Sequence, residues 1–157
     1  MHNHNIILNN TEIGLADQFI EKIRSHFCFT NDNKWYEFQN GKWRLTSDKL
    51  LLKKAYNFFE EQTDYTNQIA NQDARNLRSR ELKRLAKKTT LSNIVQLAAI
   101  NLNENLENFD KDPYALSVLN GYLDLKNNTF LGPDPLKKFT KSAQSDFVSN
   151  AEAHLWE

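Results

Sequence analysis

One cysteine, four glycines and three prolines in 157 residues deny several classes of protein their raw material. A lone thiol, Cys28, cannot close an internal disulfide and suits a reducing compartment. The glycines are too few and too scattered for a phosphate-binding loop. Gly41-Lys42-Trp43 has neither the upstream glycine nor the Ser/Thr that such a loop needs to cradle phosphate and hold magnesium. No apolar run approaches the ~20 residues that cross a bilayer, so no membrane partner is expected. The opening "MHNHNIILNN" lacks the order of a signal peptide, and residues 1–10 read as a polar, flexible segment. Charge of one sign is missing too: twenty basic and twenty acidic residues cancel, so net charge selects no partner. What remains is a cytoplasmic chain long enough to bury one core without metals or disulfides.

What is there reads mainly as helix. Thr11 is a candidate N-cap, and Ala16, Phe19, Ile20, Ile23 and Phe27 recur at helical spacing behind it. "TNDN" breaks that helix. "KWYEFQNGKWRL" then sets two short aromatic runs around Asn40-Gly41, the pattern of a β-hairpin. Ser47 or Asp48 opens a second helix with a wide stripe of Leu51, Leu52, Ala55, Tyr56, Phe58 and Phe59. "QTDYTNQIANQD" is polar and reads as a loop. A basic helix over 74–87 follows, and Thr89 or Thr90 caps another carrying Leu91, Ile94, Val95, Ala98 and Leu102 inward. Asp112-Pro113 has the order of a short helical turn. Asn120-Gly121 and Asn127-Asn128 then punctuate "LSVL", "YLDL" and "TFLG" as a small hairpin or meander. The fold class is α+β, a mostly helical single domain with two small β-hairpins.

The strongest chemical signal is cationic. Residues 75–88, "RNLRSRELKRLAKK", hold seven basic residues against one acidic. Arg80, Lys83, Arg84, Lys87 and Lys88 fall at i, i+3, i+4, i+7 and i+8, so a continuous helix would place all five on one face. Such a stripe suits sequence-independent phosphate contacts; it suits equally a solvated face balanced by acidic neighbours. Trp35, Tyr36 and Trp43, interleaved with Lys34, Lys42 and Arg44, could stack on bases, but aromatic hairpins more often pack one face on helices, and core packing is expected. Asp110, Asp112 and Asp124 invite a metal-site reading. Asp112 reads better as a cap, Asp110 as a turn residue and Asp124 as the outward member of a strand. The histidines are scattered and His26 beside Cys28 reads as packing or surface. No catalytic residue and no metal ligand is assigned.

With these residues in order, the chain resembles the domain that precedes the superfamily 3 helicase motor in phage and plasmid primase–helicases, a domain shared by the poxvirus primase–helicase NTPase. The first hairpin carries the resemblance in Trp35, Gly41 and Trp43. Its most specific element is Asp110, Asp112 and Pro113, then Asn120-Gly121, Leu123, Asp124 and Leu125, with an exit at Pro133 and Pro135. It spans roughly residues 11–157. The resemblance implies an accessory domain over 11–135 and a linker over 136–157 leading toward a helicase motor. It implies a role in ring assembly or DNA guidance during replication of a mobile element, in a bacterial host or virus-infected cell. ATP and magnesium are then expected only in the motor. DNA is the implied partner, with self-association as a hexamer through the full-length helicase. A free-standing nucleic-acid-binding module or a protein-interaction adaptor are the alternatives. The terminal "AEAHLWE", with Trp156 one place from the end, reads as the stump of a longer chain.

Overall fold

The computed structural model describes residues 11–150; the expectations for residues 1–10 and for Trp156 lie outside the described residues. Four α-helices and two small sheets are found there, an α+β fold. Helix α1 spans Glu12–Ile23, and the Thr11 hydroxyl accepts its Gly14 amide at 3.1 Å. Its buried stripe is Leu15, Ala16, Phe19, Ile20 and Ile23. Phe27 does not continue that stripe. It opens strand β1 (Phe27–Thr30), because the chain turns at residues 24–26 and the β-branched and aromatic residues beyond pair as sheet.

The expected hairpin is β2 (Lys34–Gln39) and β3 (Lys42–Thr46), turned by Asn40 and Gly41, both at positive φ. It sits in a four-stranded sheet of order β3-β2-β1-β4, where β4 (Asn103–Glu104) runs parallel to β1. Strand alternation gives the sheet two apolar faces. Phe27, Phe29 and Trp35 face the helical core; Cys28, Tyr36, Phe38 and Trp43 form a second cluster with Phe109. Both tryptophans are core, at 2% and 6% exposure, as expected of a hairpin that must bury a face to persist.

Ser47 caps α2, which runs from Asp48 to Asn67. The polar "QTDYTN" is therefore helix and not loop, and the reason is tertiary. Arg78, buried on α3 (Gln72–Leu85), donates from Nε to Thr66 Oγ1 at 2.9 Å and from its terminal nitrogen to Gln62 Oε1 at 2.8 Å. Those side chains give the last turns of α2 a partner that their hydropathy does not reveal. Helix α4 (Lys88–Asn101) starts one residue after Lys87, so Thr89 and Thr90 lie inside it and cap nothing. It packs on α1 and α2, with Ile94, Val95 and Ala98 buried.

The second sheet is the expected meander, β5 (Ala115–Val118), β6 (Gly121–Asp124) and β7 (Thr129–Leu131). Asp112-Pro113 makes a turn into it and no helix; the Asp112 carboxylate accepts the Tyr114 amide at 3.1 Å. The segment beyond residue 135 is pinned along this sheet. Ala143 donates its amide to the Ser117 carbonyl at 2.9 Å and Leu119 to Ser145 at 3.1 Å. Asn120 grips the backbone of Phe147 from both ends of its amide, at 2.9 and 3.0 Å. Packed structure thus continues past the boundary expected at residue 135.

Candidate nucleic-acid interface

The five expected cations do not share one helix face. Helix α3 ends at Leu85, Ala86 takes a non-helical ψ of 59°, and Lys87 is extended at φ −120°, ψ 150°. Arg80, Lys83 and Arg84 therefore belong to α3, whereas Lys87 and Lys88 begin α4. The break redistributes the charge. Lys83, Lys87 and Lys88 come together on a cleft of about 420 Å³ between α2, α3 and α4, and Arg80 and Arg84 stay exposed on α3 outside its lining. Among the described residues none of the five forms an ion pair, and Glu60 is the one carboxylate in the lining of the cleft. Helix α4 also starts at this rim without a side-chain cap, which leaves its first amides to add positive potential.

The opposite wall comes from α2. Phe59 is buried there, while the Tyr56 ring stands about half exposed and its hydroxyl donates to Glu60 Oε1 at 2.8 Å. That bond raises the Tyr56 pKa above its ordinary value. Leu82 and Leu91 complete an apolar floor. Arg78, counted with the basic run, points away into the α2–α3 interface, where burial lowers its pKa.

The motif residues have structural work. Asp110, at φ 53°, accepts the Thr140 amide at 2.8 Å and the Thr140 hydroxyl. Asp112 pairs with Lys137 at 3.1 Å, and the hydrogen bond from that ammonium holds its pKa below the ordinary carboxylate range. Asp124 closes a turn by accepting from the Asn127 side chain at 2.8 Å and from the Lys126 and Asn127 amides; the Asn127 side-chain bond is the main reason its pKa is low. Pro113 follows Asp112 in the turn, and Leu125 donates its amide to Tyr114 at 2.7 Å. The three carboxylates serve turns and clamps; Asp124, expected as an outward strand residue, ends β6 and closes the turn after it. Cys28 is buried, and desolvation pushes its thiol up to about 12, so it is held protonated and is no nucleophile at neutral pH.

The two hairpin motifs meet each other, which no sequence spacing reveals. Gly41 lies against the Val118–Gly121 turn: a Cβ there would sit 3.2 Å from the Val118 carbonyl. Trp43 donates from Nε1 to the Pro135 carbonyl at 2.9 Å and from its backbone to Phe139 at 2.7 Å. The Gly-x-Trp of the first hairpin is thus the socket for the Asn-Gly meander and its Pro-x-Pro exit.

The sequence model for the family described as D5 N terminal like matches residues 16–157, and the chain belongs to that family, the N-terminal domain of D5-like primase–helicases. No curated protein matches the chain. No helix among the described residues is long and apolar enough to cross a membrane.

Proposed function

We propose that this domain holds DNA for a replication primase–helicase, gripping phosphates without reading sequence and guiding the strand toward the motor. The observation that supports the reading is the convergence of Lys83, Lys87 and Lys88 on one cleft, flanked by Arg80 and Arg84, which form no ion pair among the described residues. Phosphate contact needs clustered charge and no base-specific group. Nucleotide hydrolysis, with its ATP and magnesium, belongs in this reading to the motor alone. If about three to five phosphates are neutralised, the log–log salt slope of binding should be roughly −2 to −4.5. Changing Lys83 and Lys87 together to Ala should weaken every DNA sequence alike and flatten that slope by about 1.5. An unchanged slope in the double variant would remove the cleft from DNA binding.

A contribution to ring assembly has separate support. The second sheet leaves Leu116 and Phe130 at 44% and 38% exposure on one face, and among the described residues β7 is its edge strand. Exposed apolar groups beside an open edge suit a protein neighbour. In this reading the 157-residue chain is monomeric or weakly associated. Joined to a motor it should form closed rings, as cyclic heterologous contacts allow. Light scattering on both lengths at matched concentration tests it, and a stable hexamer of the short chain would place the ring contacts here instead.

A further inference from the structure

We infer that the lysine cleft receives an unstacked base of a single-stranded nucleic acid, its flanking phosphates lying on the lysines. This rests on the DNA-contact reading and names the strand form it takes. Phosphates alone need no concavity; a flat row of lysines would serve them. Here the cations instead rim a hollow whose floor is apolar, and about 420 Å³ lies in the range of small-molecule sites. The contents that match are a flat, largely apolar group carrying negative charge at its edge, which describes a nucleotide within a strand.

Tyr56 supplies the stacking surface. Its ring is half exposed at the mouth, and its hydroxyl is anchored to Glu60, so the ring is oriented before anything binds. The threonine hydroxyls in the same wall already donate within α2. The Thr63 hydroxyl donates to the Phe59 carbonyl at 3.0 Å and the Thr66 hydroxyl to Gln62 at 2.7 Å. Stacking without committed base-edge partners tolerates any base. A duplex cannot use the hollow without flipping a nucleotide out of its stack, which is costly. It is left with the lysine contacts only.

The test is fluorescence anisotropy with the 157-residue chain, at one salt concentration, on three probes. These are a single-stranded 15-mer, its duplex, and an abasic strand of the same length. The single strand should bind about 10-fold tighter than either of the others. Tyr56→Leu should bring it down to the abasic level and leave the salt slope unchanged, and Ser79→Trp, which fills the hollow, should do the same. Equal affinity for the three probes would overturn the inference and leave the phosphate contact standing. An unlabelled nucleoside monophosphate, added as competitor, that displaces the labelled single strand at an equal concentration would overturn it in favour of a mononucleotide site. No salt-dependent binding to any probe would overturn both readings.

Discussion

Trp43→Ala should destabilise the domain by about 3–5 kcal/mol, the range for a large buried aromatic. The side chain is only 6% exposed and packs between Phe38, at 5.5 Å between centroids, and Phe109, at 6.3 Å edge-on. Its indole N–H also satisfies the Pro135 carbonyl, 92 residues along the chain. Against a typical net stability of about 5–15 kcal/mol, the loss would leave a marginal fold. Trp43→Phe separates the two contributions. It keeps most of the ring burial but leaves Pro135 without its donor, so a cost of about 1–3 kcal/mol is expected. Guanidinium unfolding of both variants makes the comparison. A loss below about 1 kcal/mol for the alanine variant would mean that this ring does not join the sheet to the meander.

The parts of the fold that were legible are those coded by adjacent residues. Thr11 and Ser47 cap their helices with their own hydroxyls, and a cap is a local hydrogen bond that composition announces. Asn40-Gly41 marks its hairpin by taking positive φ at both residues; Asn120-Gly121 marks the second turn without doing so, since Leu119 and Asn120 make the turn and Gly121 opens β6. Burial of Trp35 and Trp43 followed from the needs of a hairpin. Their separation into two clusters on opposite faces follows from alternation, but only once β1 is known to complete the sheet.

What stayed hidden depends on distant partners. Nothing in "QTDYTN" predicts helix, because its stabilising contact is an arginine that looks like one more surface charge in a basic run. The break at Ala86-Lys87 contains neither glycine nor proline, and so a continuous cationic stripe is the natural reading of those five residues. Its effect on the candidate site is large. A straight helix would have displayed a row, whereas the break folds Lys87 and Lys88 back toward Lys83 around an apolar hollow. The family motif was legible as a pattern long before its physics: Gly41, Trp43, Asn120 and Gly121 belong together because one turn seats on the other.

Gly121 is the most demanding position in the motif because of its own sheet rather than the first hairpin, and Gly121→Ala should cost about 3 kcal/mol, at the upper end of what overpacking usually costs. A Cβ built there falls 2.1 Å from the Leu131 carbonyl oxygen and 2.8 and 2.9 Å from two atoms of the Phe130 ring. The ring can yield, since it is partly exposed and merely stacks on Phe147 at 4.8 Å. The carbonyl is backbone, and it moves only if β7 draws away from β6. The variant should therefore lose amide protection along β6 and β7 while the helices keep theirs, a pattern that hydrogen exchange reads directly. Two other glycines calibrate the result. Gly132→Ala meets nothing within 4 Å and should be neutral to about 0.5 kcal/mol. Gly41→Ala combines φ +75° with a 3.2 Å approach to Val118 and should cost about 1–2 kcal/mol. The order Gly121, Gly41, Gly132 in cost is the discriminating outcome. A Gly121→Ala variant as stable as Gly132→Ala would mean that β6 and β7 do not approach so closely, and the asparagine–glycine turn would need another explanation.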